Sequence, residues 1–229
     1  MLDFIGIGAQ KSATTWVYER LSHHPGIKFP AGKEIHFWDK NYTMGIDWYR
    51  SIFDNENFIN GEITPSYGHL DISKISEIYS NFPKLKILLI LRNPIDRAWA
   101  SAKMALDRSE LLFHEASDQW FIDHFKSSGS ISRSAYERNL INWRSVFPEN
   151  QILILRYEEI EIDPNKFLNH ILNHLELDDF YTGNNSQKVF VGTFEPLRES
   201  LKPFLFDMYK NQIISLGRYL EQDFSSWIS

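Results

Sequence analysis

Two stretches of this sequence combine residue types that could grip an anion. The first is Gly8-Ala9-Gln10-Lys11-Ser12-Ala13-Thr14-Thr15-Trp16, which follows a strand-like apolar run and opens a helix-like one. The first turn of a helix presents unpaired N–H groups and the positive end of the helix dipole. Lys11 adds a full charge, and Ser12, Thr14 and Thr15 add hydroxyl donors. In physical terms this is a phosphate cradle; the alternative is a Ser/Thr-rich helix cap beside an exposed lysine. The second stretch is Leu91-Arg92-Asn93-Pro94-Ile95-Asp96-Arg97. Arg92 leaves the end of a strongly apolar strand, where open α/β sheets bind ligands and a guanidinium can grip phosphate through two N–H groups. Asp96 and Arg97 fall in the first turn of the next helix, where a local ion pair or cap accounts for them. A nucleoside triphosphate P-loop would require glycine directly before the lysine and an acidic residue at a strand end to hold Mg²⁺. Gln10 and Arg92 occupy those places, so the pattern points to a phosphate-bearing ligand handled without a metal.

The elements that must carry these residues alternate between strand and helix, which predicts an α/β fold with a mainly parallel sheet. Strands are expected at 3–8, 27–29, 85–91 and 151–155. The run 85–91 is apolar on both faces and is expected to be central. Helices are expected over 11–21, 72–80, 94–106, 118–125, 134–147, 165–175 and 203–220. In the helix over 134–147, Tyr136, Leu140, Trp143 and Phe147 form one buried stripe. Residues 30–61 read as a loop-rich aromatic segment, 127–130 (Ser-Ser-Gly-Ser) as a flexible tip and 182–193 as a polar loop. No linker divides the chain, so a single domain over 1–229 is expected.

Composition narrows the function. The 229 residues include no cysteine, which excludes disulfides, thiolate metal sites and a cysteine nucleophile. The net charge is −6, and no basic stripe marks a nucleic-acid surface. No apolar run approaches the length of a membrane span, and no signal peptide is visible, so a cytoplasmic protein without a membrane partner is expected. The 17 Phe, 10 Tyr and 7 Trp suit a ring-rich core, from which individual rings could stack on a base or sugar.

Five blocks in order along the chain resemble the sulfotransferases that use 3′-phosphoadenosine 5′-phosphosulfate (PAPS). They are K-S-A-T-T-W-V from Lys11, K-E-I-H-F-W-D from Lys33, L-R-N-P-I-D-R-A from Leu91, I-L-I-L-R-Y-E-E-I with D-P from Ile152 to Pro164, and L-G-R-Y-L-E-Q-D-F-S-S-W near the C-terminus. The second block resembles the heparan-type and bacterial branches. The resemblance implies a three-layer α/β fold with a P-loop-like phosphosulfate loop, PAPS as sulfuryl donor and 3′-phosphoadenosine 5′-phosphate (PAP) as product. It implies that Lys11 contacts the bridging oxygen, that Ser12, Ala13, Thr14 and Thr15 bind the 5′-phosphate, and that Arg92 binds the 3′-phosphate. Trp16 matches a tryptophan that stacks on adenine. Tyr157 matches a tyrosine near it, with core packing as the equal alternative.

Glu34 matches the glutamate base of the heparan-type branch, and His36, two residues on, supports it. A carboxylate or imidazole in reach of the acceptor is what transfer to a hydroxyl or amine requires. The chain also departs from the family. The serine common eight residues after the block arginine is Ala100, and Ser101, about 100° further round a helix, is the candidate in its place. Ile63 stands where the heparan branch has lysine, in Glu62-Ile63-Thr64-Pro65-Ser66-Tyr67. The R-K-G block of the cytosolic branch is absent, leaving Lys188 or Arg198 as substitutes. The acceptor, whether a small molecule or a glycan, and the oligomeric state are not specified by these motifs.

Overall fold

A computed structural model describes residues 1–54, 57–109, 111–179 and 195–228. Five strands, β1 (Leu2–Gly8), β2 (Ile27–Lys28), β3 (Ile59–Ile63), β4 (Lys86–Leu91) and β5 (Ile152–Arg156), form one sheet in the order β2-β3-β1-β4-β5. Every pairing is parallel. The helices are α1 (Thr14–Ser22), α2 (Ile46–Ser51), α3 (Ile72–Asn81), α4 (Pro94–Arg108), α5 (Asp118–Lys126), α6 (Ser128–Ser134), α7 (Tyr136–Arg144), α8 (Glu158–Ile162), α9 (Pro164–His174) and α10 (Lys202–Leu220). This is the expected α/β architecture, a parallel sheet flanked by helices. β4 is an interior strand as its apolar run requires, but β1 holds the middle of the sheet.

The chain divides into two compact units. The first comprises residues 1–91 and the described part of 139–190, and holds the whole sheet. Strand alternation sends Phe4, Ile63, Leu88, Ile90 and Leu155 to one face, where they pack with Trp16, Val17 and Leu21 of α1 and Phe167, Leu168, Ile171 and Leu172 of α9. The alternate residues Ile5, Ile7, Ile87, Leu89 and Leu91 are buried as well, as expected of a parallel sheet covered on both faces. The second unit comprises 92–138 and the described part of 191–229. Its elements include α4, α5, α6 and α10. The chain passes between the units at the end of β4 and within α7, without an intervening linker.

Two expectations fail. The stretch 30–61 contains α2 and the start of β3. β3 escapes a sequence reading because Asn60 and Glu62, both polar, are buried at its centre. Long-range partners hold Asn60: its N–H donates to Asp3 (2.8 Å) and its side-chain NH₂ to the Met1 carbonyl (3.1 Å). The supposed tip at 127–130 begins α6 instead. Ser127 caps it by accepting from the Ser130 N–H (3.2 Å). The fully buried Arg97 then reaches over from α4 to Ser130 Oγ (3.1 Å) and Ser134 Oγ (2.7 Å). Arg97 is thus a structural tie rather than half of a local ion pair. The expected loop at 182–193 lies outside the described residues.

The sheet order reverses direction between β1 and β4, so a topological switch point lies at their carboxyl ends, where α/β sheets bind ligands. Gly8 closes β1 there at φ +142°, and a Cβ on it would lie 2.9 Å from the Pro65 carbonyl oxygen. Gly8→Ala should therefore cost about 2–4 kcal/mol, combining a backbone region reserved for glycine with a steric clash. Chemical denaturation would measure it, and an unchanged midpoint would contradict this account.

Candidate functional site

The loop after β1 has features that suit an anion. Its N–H and C=O groups are partly fixed by the sheet: Ala9 N–H donates to the Ile90 carbonyl (2.8 Å) and Ser12 N–H to the Ala9 carbonyl (3.2 Å). Ala13 precedes α1 with no side-chain cap on the helix, and no acidic residue lies in its first turn. Ser12 is fully buried, yet its hydroxyl has no hydrogen-bond partner among the described residues. A buried polar atom of this kind is costly unless a ligand completes it. An uncapped helix start with an orphaned hydroxyl beside Lys11 fits a phosphate or phosphosulfate group.

Lys11 (φ 68°) and Ala13 (φ 59°) take left-handed backbone conformations, as do Glu34 (φ 66°) and His36 (φ 55°). Such conformations cost non-glycine residues about 1–2 kcal/mol each. Two others among the described residues, Glu176 and Glu221, follow the ends of α9 and α10.

Glu34 and His36 lie on a segment that runs along the end of β3. Glu34 N–H donates to the Ile63 carbonyl (3.0 Å). The Glu34 carboxylate pairs with Lys33 and stands 3.3 Å from His36 Nε2. Burial works to raise its pKa, but the Lys33 ammonium and His36 outweigh this and hold it below the ordinary carboxylate value. Glu34 is therefore ionised at neutral pH and able to accept a proton. His36 Nδ1 faces the Asp39 carboxylate (3.0 Å), Asp39 also accepts from Ser66 Oγ (2.6 Å), and Lys40 Nζ lies 3.4 Å from Nε2. Asp39 thus fixes the ring with Nδ1–H turned towards it and Nε2 turned towards Glu34. Sequence reading found Glu34 and His36 but missed Asp39 and Ser66. The i, i+3 spacing of His36 and Asp39 was the available signal for one; Ser66 had none, because its place depends on the turn after β3.

One turn serves both segments. Residues 63–66 meet the Gly8 entrance to the cradle through Pro65 and carry the base segment through Ile63 and Ser66.

The remaining candidates differ in setting. Trp16 is nearly buried and packs edge-on against Phe167 (6.0 Å). Tyr157 follows β5, its N–H donating to the Leu91 carbonyl (2.7 Å), with its ring partly buried against the core. In the second unit, Arg92 follows directly on β4 and its carbonyl accepts from Tyr136 OH (3.0 Å). Ser101 is buried, with its hydroxyl 3.2 Å from His124 Nε2. Arg198 is held by Asp118 (2.8 Å) and lies over the Phe113 and Phe121 rings. Ile63 is buried, with its side chain against Gly6. Lys188 lies outside the described residues. Among the described residues, no helix is long and apolar enough to cross a membrane.

A parallel sheet with an uncapped, lysine-bearing loop at its switch point defines an α/β domain with a place suited to an anion. The chain belongs to the sulfotransferase-domain family, whose model matches residues 2–220. Human heparan sulfate glucosamine 3-O-sulfotransferase 6 is 28% identical over 163 residues, 69% of this chain and 47% of that protein. The chain spans about half the length of this relative. A crystal structure of a sulfotransferase from Alicyclobacillus acidocaldarius superimposes with a TM-score of 0.79 at 24% identity, covering 100% of this chain and 99% of that one. The mouse sulfotransferase SULT7A1, solved in complex with PAP, aligns with a TM-score of 0.56 at 19% identity, over 93% of this chain and 64% of its own. These likenesses establish the same fold.

The left-handed Ala13 yields a simple test of the cradle's strain. Ala13→Gly should raise stability by about 0.5–1 kcal/mol, relief of the Cβ clash outweighing the greater freedom of the unfolded chain. A lower thermal midpoint would contradict it.

Proposed function

We propose that this chain transfers the sulfuryl group from PAPS to a hydroxyl or amine acceptor, with Glu34 as the base. The observation that carries the reading is the shared turn 63–66, which ties the cradle entrance to the segment bearing an ionised carboxylate. The acceptor oxygen or nitrogen attacks sulfur, the bond from sulfur to the 5′-phosphate oxygen breaks, and PAP departs with the bonding pair. The acceptor proton passes to Glu34. Lys11 meets the charge growing on the departing phosphate, with the α1 dipole and the hydroxyls of Ser12, Thr14 and Thr15 around it. Arg92 holds the 3′-phosphate, so charge is neutralised without a metal. The buried setting of Trp16 favours Tyr157 as the ring against adenine. The engagement of Ser101 with His124 leaves Arg92 as the principal 3′-phosphate ligand in this reading.

Family membership over residues 2–220 supports the activity. The heparan sulfate relatives support a glycan as the acceptor class, although Ile63 removes a cation of that branch. The enzyme is proposed to be cytoplasmic. A panel of oligosaccharides, phenols and amines incubated with PAPS, read by mass gain of one sulfate, tests the class.

Glu34→Gln should reduce turnover about 10²–10⁴-fold, the usual contribution of a general base, with PAP affinity within a few-fold of wild type. His36→Ala should cost less. Since Glu34 is held below the ordinary carboxylate pKa of 4.5, it stays ionised as pH falls until that lowered value is reached. The acid limb of the rate profile should therefore lie below about pH 4.5. Near-full turnover by Glu34→Gln together with a large loss in His36→Ala would make histidine the base.

Arg92→Ala should weaken PAP by about 2–4 kcal/mol, the range for truncating one side of a buried charge pair. Adenosine 5′-phosphosulfate, which lacks the 3′-phosphate, should lose little. Equal losses in calorimetry would refute the assignment.

A further inference from the structure

The sheet holds a fully buried carboxyl group that the proposed reaction does not use. Glu62, in β3, is completely buried, and its carboxylate is surrounded by hydroxyls. Oε1 accepts from Thr64 Oγ (2.7 Å) and from Tyr67 OH (2.7 Å), and Oε2 accepts from Tyr49 OH. An ionised carboxylate is acceptor-only, so three O–H donors suit it, although burial pushes its pKa up against them. A buried carboxylate is a poor source of stability, because the loss of hydration offsets what its partners return.

Each of the three hydroxyl-bearing residues reaches on to the same short segment. Thr64 Oγ receives the His36 N–H (3.5 Å), and Tyr67 OH receives the Trp38 N–H (3.3 Å). The Tyr49 ring stacks on Phe37 at 4.4 Å and 9°. The Ile63 carbonyl completes the set by receiving the Glu34 N–H (3.0 Å). Alternate amides, at 34, 36 and 38, are thus held by successive atoms of the β3 end and its turn. A hydroxyl has a single proton. Once Glu62 takes the protons of Thr64 and Tyr67, the lone pairs of both oxygens must face the amides of His36 and Trp38.

We infer that Glu62, acting through Thr64, Tyr67 and Tyr49, is a positioning residue that sets the 34–38 segment so that Glu34 and His36 face the acceptor. This rests on the proposed role of Glu34 as base. Glu62 itself touches no reactant and is not a catalytic residue. The left-handed conformations of Glu34 and His36 require an external hold of this kind, since strained backbone persists only where its surroundings impose it.

The test is a double-mutant cycle between Tyr67→Phe and Glu34→Gln, read as PAP released from PAPS with p-nitrophenol or water as acceptor. Tyr67→Phe alone should lower kcat about tenfold, the effect of losing one hydrogen bond to a charged group, with the KM for PAPS and the PAP dissociation constant within about twofold. In the Glu34→Gln background it should cost less than about twofold, because there is no base left to misplace. A loss of the same factor in both backgrounds would make the network merely structural and overturn the inference. Amide hydrogen exchange provides a readout independent of turnover. Tyr67→Phe should speed exchange at Trp38 and His36 at least about tenfold while leaving the β4 amides unchanged; unaltered exchange at both would overturn it. Glu62→Gln should behave as Tyr67→Phe does, and where it fails to fold the tyrosine variant decides. If Glu34→Gln alone costs nothing, the base assignment fails, and the exchange data still decide whether the segment is held from Glu62.

Discussion

The carboxyl edge of the sheet depends on one close approach. β1 ends at a glycine because the Pro65 carbonyl occupies the space where a side chain would begin. That contact brings the turn after β3 hard against the start of the anion cradle. The same turn carries the segment with the carboxylate and the imidazole. Two segments separated by more than twenty residues of sequence are thereby fixed to one edge, as the proposed base and anion cradle would require.

How much of this could be read in advance follows the range of the forces involved. β1 and α1 were legible because their apolar pattern and flanking turn residues act locally. The run at 85–91 and the stripe of Tyr136, Leu140, Trp143 and Phe147 were legible because periodicity reports burial directly. β3 was not, since Asn60 and Glu62 are buried only by virtue of Asp3, Met1, Tyr49 and Tyr67, none of which is adjacent in sequence. α6 was not, because a run of small residues reads as loose until Arg97 reaches over from another helix. At the site, Lys11, Glu34 and His36 came from motif resemblance. Asp39 and Ser66, which orient the imidazole, needed the fold.

Left-handed backbone at non-glycine residues occurs at the helix ends Glu176 and Glu221 and around the proposed site. Four residues flank the proposed chemistry with left-handed backbone, and two of them, Glu34 and His36, carry the candidate base and its support. Propensity alone would not choose glutamate or histidine for such conformations. Their cost is met by neighbours that are otherwise hard to explain: a buried carboxylate, two buried tyrosines and a stacked phenylalanine.

The lysine beside Glu34 has a consequence for the timing of bond changes. By holding the carboxylate ionised, Lys33 also makes it a feeble proton acceptor. A feeble acceptor cannot strip an alcohol before reaction. It can only collect a proton that has become acidic, which happens as the oxygen–sulfur bond forms and the oxygen acquires positive character. In the proposed transfer the carboxylate would therefore take the proton late, as the oxygen–sulfur bond forms. The driving force would come from the departing nucleotide, and nucleophilicity would be a property of the acceptor itself.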